Sequence, residues 1–399
     1  MTTMKETFRA AAFGCAALLA VPAVFGGYGD PPDATHAWAV HDMNRPVPKK
    51  IVADGVKPPS DAIVLFDGTQ KSLSDNWCDR RGNPTKWELD PNGELISVRG
   101  AGYIFTKRKF ADCQLHVEWA APKEVHGSGQ GRGNSGVFLM GEYEIQVLDS
   151  YETDPDKKPN PNPCYPDGQA GSVYGQNPPA VNPARAPGVF NTYDIIFHAP
   201  VLNADGTVKL PATITVLFNG VVVQDGWKFD GPTLHCRRAA YSSRGLANLA
   251  REKRMPFALQ DHGNPVHYRN IWIRELPAQD ANAEHGNYFA VEEKVMERRR
   301  MTADMLDSDF DAKWGRAKVG RKILEAWNVA MYFATPDRLA RIAALESEFL
   351  AAAKGLSVRD LPGRVGASKD EILNCYRQLE KVGLAKKDNA VAAFLRGMK

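Results

Sequence analysis

Three things are scarce in this 399-residue chain: cysteine, an excess of one charge, and apolar runs beyond the N-terminus. Six cysteines occur and no two form a C-x-x-C pair, so a structural zinc site is not expected. The formal net charge is +3, which gives no reason to invoke nucleic acid or an acidic membrane surface as a partner. Past the first 27 residues no apolar run is long enough for a stable membrane span. The sequence also lacks a nucleotide-binding glycine loop, a G-x-S-x-G elbow and an H-E-x-x-H pair. The glycine-rich GQGRGNSG at 129–136 precedes a strand pattern, not the helix N-terminus that phosphate binding uses.

What is present begins at the N-terminus. Lys5 and Arg9 precede the apolar AAAFGCAALLAVPAVFGG, which breaks at Tyr28-Gly29-Asp30. A basic start, a short apolar stretch and small residues at its end read as a signal peptide over 1–27, hence export to the periplasm or beyond the cell. A retained membrane anchor is the rival reading; the shortness of the run and Pro22 count against it. Cys15 lies inside the run, which argues against a lipoprotein site. Cys78, Cys113, Cys164, Cys236 and Cys375 remain, an odd number whose pairing sequence does not assign.

Residues 28–61 form a Pro-rich lead that reads as a linker or extended arm. From 62 to 277 the chain reads as mainly β. ELISV, QLHVEWA, SGVFLM, EYEIQVLD, TYDIIFHA, TITVLF and RNIWIREL are short runs rich in β-branched and aromatic residues. Asn219-Gly220, between TITVLF and VVVQD, is a strong hairpin signal because both turn positions need positive φ. Many short strands without intervening helices imply a jelly-roll β-sandwich. Stretches 151–190 and 226–257 read as long irregular loops, a length associated with function. Residues 284–399 read as a helical extension. Thr335-Pro336 starts one helix, Leu339, Ile342, Leu345 and Phe349 recur along it, and Ser368 with Glu371 makes a capping box. Ile372, Tyr376 and Leu379 then share one face, and Gly383 ends the helix. A winged-helix reader is the rival reading of this last stretch. A bundle that packs or self-associates is the expectation, since an exported protein meets no DNA.

Candidate chemistry lies in three places. In EYEIQVLD, alternation sends Tyr143, Ile145 and Val147 into the core and Glu144, Gln146 and Leu148 to the opposite face. A carboxylate and an amide there could line a groove. Asp149 falls on the apolar phase and needs a strand end or a bulge. Gln260, Asp261, His262, Asn264, His267 and Arg269 crowd what reads as one loop, where His262 is the natural proton-transfer group or metal ligand. Gln169, Tyr174, Gln176, Asn182 and Arg185 supply amides and a stacking ring suited to sugar. His116 and Glu118 share a polar phase and either lie beside Glu144 or face water. For each group the bland alternative is a solvated face or a loop satisfying its own backbone.

LFDGT, Trp87, GNSGVFLMGEYEIQVLDS, GQAGSVYGQNPPAVN, NTYDIIFHAP, ITVLFNGVVVQD and LQDHGNPVHYRNIWIREL, in this order over about 62–276, closely resemble 3-keto-disaccharide hydrolase domains. The resemblance implies a concanavalin-like jelly roll with a sugar-binding concave face. It further implies action on 3-keto-disaccharides or 3-keto-glycosides, oxidised beforehand by a sugar 3-dehydrogenase as functional partner. A ketone at C3 acidifies the C2 proton, so elimination across C1–C2 followed by rehydration gives net hydrolysis. Such a site needs a base, an acid and a stabiliser for the enolate oxygen. Glu144, Asp149 and His262 are the candidates for the first two roles. Arg132, Asn134, Gln146 and Arg269 are candidates for enolate stabilisation or positioning, with Tyr174, Gln176, Asn182 and Gln260 as further substrate contacts. A divalent cation is possible as a Lewis acid; the residues leave this open. The alternatives are a jelly-roll glucanase acting on unoxidised glycans and a non-catalytic carbohydrate-binding module. On export, the mature protein is expected to begin near Tyr28. N-terminal sequencing checks this, and an intact Met1 on the exported form would overturn it.

Overall fold

The computed structural model describes residues 29–55, 57–151, 162–242, 252–278 and 292–398. The signal-peptide reading of 1–27 lies outside them. Two compact units divide the chain: residues 49–282, and residues up to 48 together with those from 283 onward.

Residues 49–282 form a mainly β sandwich of antiparallel strands. The larger sheet runs Val221–Lys228, Thr213–Phe218, Asn191–His198, Cys113–Ala120, His267–Glu275, Leu95–Ile96 and Glu88–Leu89, with Ile63–Phe66 also pairing to His267–Glu275. The smaller sheet runs Trp77–Cys78, Ile104–Phe110, Met255–Leu259, Ser135–Leu139 and Tyr143–Val147. Alternation fills the space between them. Leu115, Val117 and Trp119 from one sheet meet Val137, Tyr143, Ile145 and Val147 from the other in one apolar core. Asn219 and Gly220 take φ of 51° and 79°, as the hairpin requires.

Two inner strands of the smaller sheet were hidden in the sequence. Ile104–Phe110 carries Lys107, Arg108 and Lys109 in succession, which masks its alternation. Met255–Leu259 falls at the end of a stretch read as loop. It contains Pro256 beside a register shift, one of the places a strand tolerates proline.

Tyr143–Val147 lies at the edge of its sheet, where unpaired backbone groups must be covered. The loop after residue 162 does this. The Gln146 N–H donates to the Ser172 carbonyl (3.1 Å), Gly171 N–H to the Gln146 carbonyl (3.0 Å) and Tyr174 N–H to the Glu144 carbonyl (3.3 Å).

In the other unit, Val319–Tyr332 is the buried central helix. Pro336–Ala353 starts at Thr335, whose hydroxyl accepts from Arg338 N–H, and Ser368 with Glu371 forms the capping box of Lys369–Lys381. Ile342 and Phe349 are buried, but Leu339 is 39% exposed. The lead residues are not a free arm through 48. Trp38 packs on the helical core, and Asn44 and Asp42 bond the Tyr332 hydroxyl. Among the described residues no helix is long and apolar enough to cross a membrane. Cys78, Cys113, Cys164, Cys236 and Cys375 are all free.

Because each unit has its own apolar core, residues 49–282 expressed alone should fold. One cooperative denaturation transition with a native near-UV circular dichroism spectrum is expected. A fragment lacking both would show that the sandwich needs the second unit.

Candidate active site

A hollow of about 350 Å³ opens on the outer face of the smaller sheet. Its floor is the hairpin of Ser135–Leu139 and Tyr143–Val147, where Phe138 stands opposite Glu144 and Gly136 opposite Gln146. Asn134, Glu144, Gln146, Tyr174, Gln260 and His262 all line it. The outward phase of one edge strand, one long loop and the 260–266 loop therefore converge here.

Glu144 is 5% exposed and makes no side-chain hydrogen bond among the described residues. Burial alone pushes its carboxyl up to about 8. It is the one carboxylate among the described lining residues. Gly136 makes room for it: a Cβ there would stand 2.5 Å from Glu144 Oε1 and 2.7 Å from the Phe138 ring. The strand is also pinned at this residue, since Glu144 N–H donates to Thr233 Oγ1 at 3.0 Å.

Amides hold the floor. Gln130 Oε1 accepts from Asn134 Nδ2 (2.8 Å) and Gln146 Nε2 (2.9 Å), while its own amide donates to the Gly168 carbonyl (2.9 Å). Gln260 Nε2 donates to the Tyr103 hydroxyl at 2.6 Å. The Oε1 atoms of Gln146 and Gln260 have no protein partner. Burial raises the Tyr103 hydroxyl above its ordinary value, with the Gln260 bond opposing, so the phenol stays protonated. At the rim, Tyr174 bonds Tyr165 (2.6 Å) and His235 Nδ1 (3.2 Å), and His262 is exposed.

Other sequence candidates lie elsewhere. The strand ends at Val147, and Asp149 turns inward, 4% exposed, accepting from Arg132 Nε at 2.7 Å. Both are committed to this ion pair and neither lines the hollow. Gln176 accepts from Asp230 N–H and donates to the Gly231 carbonyl, and Asn182 donates to the Ser150 carbonyl; these brace loops. Leu148 is core, not outward. His267 and Arg269 belong to the last strand, not the loop.

His116 and Glu118 lie in the larger sheet, away from Glu144's strand. His116 bonds Asp194 (2.7 Å), and Arg269 donates to Glu118 (2.6 Å) while covering the Phe190 ring. Burial opposes charge on His116, but its bonds to Asp194 and Glu118 raise it to about 9. Against its own burial, bonds from His116, Asn270 and Arg269 take Glu118 down to about 2. That network is an ion cluster of the outer sheet face.

Sequence reasoning missed Tyr103, Gln130, Phe138, Thr233 and His235 among the lining residues. Among the described residues no group of three or more His, Cys, Asp or Glu is placed to hold a metal ion.

Fold and family together define a glycosidase-type enzyme on a β-sandwich. The model of the 3-keto-alpha-glucoside-1,2-lyase-like domain matches residues 61–274, more than half of the chain, and the chain belongs to that family. A provisionally assigned glycosyl hydrolase from Parabacteroides distasonis ATCC 8503, solved at 2.13 Å, is 40% identical. The match covers 58% of this chain and 93% of that one, with a TM-score of 0.49. A second protein of the same description and organism, solved at 2.00 Å, is 23% identical over 54% of this chain and 99% of its own, with a TM-score of 0.35. No curated protein matches the chain.

The raised Glu144 carboxyl has a consequence for stability. The folded state holds a proton between 4.5 and about 8 that the unfolded chain releases, so stability falls as pH rises through that window. Glu144→Gln should remove this slope and melt higher than the parent above pH 8. Equal Tm-against-pH curves for parent and variant would show that Glu144 titrates as an ordinary carboxylate.

Proposed function

We propose that this pocket cleaves the glycosidic bond of sugars already oxidised to a ketone at C3, by elimination across C1–C2 and rehydration. The observation that carries the reading is Glu144: one buried, unpartnered carboxyl facing an amide-lined hollow. Ordinary glycoside hydrolysis needs a second carboxyl ~5–5.5 Å or ~6.5–9.5 Å away, and among the described residues no other carboxylate lines this hollow. Abstraction of a proton beside a ketone needs one base, best tuned toward the working pH.

In this reading ionised Glu144 takes the C2 proton, and the C–H electrons move into an enolate. The Tyr103 hydroxyl accepts from Gln260, which leaves its own proton free to donate to that oxygen. The enolate then expels the C1 substituent, and a rim imidazole, His262 or His235, protonates the leaving oxygen. Water then adds to the resulting enone: the imidazole takes back a proton from it as its hydroxyl bonds C1, and Glu144 returns its proton to C2, which restores the saturated ketone and both groups. Asn134, Gln146 and Tyr174 position the sugar hydroxyls. Both family membership and the glycosyl hydrolase assignment of the 40% identical relative support cleavage of a glycosidic bond. An alcohol oxidation at C3 must supply the substrate, which makes a sugar 3-dehydrogenase its functional partner.

In deuterated water the released 3-keto-sugar should carry deuterium at C2, appearing faster than in an enzyme-free control. Glu144→Gln and His262→Ala should each lower turnover by ~100-fold or more. The kcat/KM profile should rise with pH through about 8 and lose that limb in Glu144→Gln. Turnover of the unoxidised disaccharide without label would mark a glucanase. Binding of both sugars with turnover of neither would mark a carbohydrate-binding module.

A further inference from the structure

A second hollow, of about 730 Å³, adjoins the first at Tyr103, which lines both. Arg80, Arg81 and Lys86 stand around it. Its one lining acid among the described residues, Asp79, is committed to the turn that carries the arginines. Its carboxylate accepts from the N–H groups of Arg81 (2.8 Å) and Asn83 (2.8 Å) and from the Asn83 side chain (3.2 Å). Glu142 lies outside the lining, and Arg80 only offsets part of the rise that burial gives it. Among the described residues none of the three cations forms an ion pair. The hollow therefore presents a net positive wall.

An aromatic path joins this wall to the reaction centre. The Arg80 guanidinium lies 5.7 Å from the Phe105 ring centre. Phe105 faces Tyr103 at 6.4 Å and 24°, and Tyr103 faces Phe138 at 5.5 Å. Phe138 is the cross-strand partner of Glu144. Rings in line suit a flat or sugar-like group, and guanidinium forks at the end suit an oxyanion.

We propose that the second hollow is the leaving-group subsite, and that it selects glycosides whose leaving group carries an anionic substituent. This rests on the reading of the Glu144 pocket as the seat of the keto-sugar. The keto-sugar ring occupies the Glu144 hollow, the scissile bond lies near Tyr103, and the leaving group runs along Phe105 toward Arg80 and Arg81.

The test compares 4-carboxyphenyl and 4-carbamoylphenyl 3-keto-glucosides, which differ by one charge at the far end. At low salt the carboxylate should show a KM about five- to tenfold lower, the scale expected of a few exposed charge pairs acting together. The ratio should approach one in 0.5 M NaCl, where the screening length falls to about 4 Å. It should also approach one in the Arg80→Gln/Arg81→Gln variant. A 4-sulfonatophenyl congener with the same preference defines a general anion subsite; preference for the carboxylate alone defines a carboxylate subsite. Equal KM values for the carboxylate and amide at low salt would overturn the proposal, as would a preference that survives the double substitution. If no 3-keto-glucoside turns over, the Glu144 reading fails by itself. Calorimetric binding of unoxidised 4-carboxyphenyl glucoside against its amide then decides the subsite: a salt-sensitive preference supports it, and equal affinity ends it.

Discussion

A carboxyl group buried without a partner is the constraint around which this sandwich is arranged. Moving an ionised carboxylate out of water is costly enough that the group holds its proton instead. Glu144 is in that position, and its surroundings keep it there. Gln130 Oε1 takes up the amides of both Asn134 and Gln146, so those donors turn toward Gln130 and not toward the carboxyl. Thr233 and Tyr174 anchor the Glu144 backbone. The edge position of the strand leaves one flank open to loops, and those loops supply the rim. The strand's structural weakness and the pocket's chemistry thus share one origin.

Much of this could be read from the residues. The period-two pattern of EYEIQV settled which side chains enter the core, and it brought Glu144 and Gln146 to one face. What pattern could not supply was partnership. Asp149 looks as available as Glu144 until Arg132, seventeen residues earlier, is seen to hold it. His116 and Glu118 have the polar phase but belong to the other sheet. Thr233 and His235 sit in an irregular stretch without periodicity. Gln130 stood inside a glycine-rich segment weighed for phosphate, although its neighbours Asn134 and Gln146 were already suspected of polar contacts.

The helical unit shows the same division. Caps are local, and Thr335, Ser368 and Glu371 act where the sequence placed them. The attachment of the lead segment is not local. Asp42 and Asn44 reach Tyr332 across nearly three hundred residues, and Arg299 reaches the Asp33 carbonyl. Proline content marks the lead as irregular and carries no information about what the lead rests on. Arg338, 6% exposed between Asp304 and Asp307, is a second long-range tie of this kind.

The hairpin that carries Glu144 turns through Met140 and Gly141, both at positive φ (53° and 64°), with Leu139 paired to Tyr143. Since side chains alternate, a slip of one residue along that ladder would exchange the two faces of the strand. Ile145 would then face the hollow and Glu144 would enter the apolar interior, where nothing could solvate it. The mis-registered form is thus doubly unfavourable, and the acid that would do the chemistry also acts as a proofreader of assembly. Burial already makes Glu144 costly to ionise in the native hollow, and the apolar core would make it costlier still, so the same carboxyl disfavours the nearest wrong register.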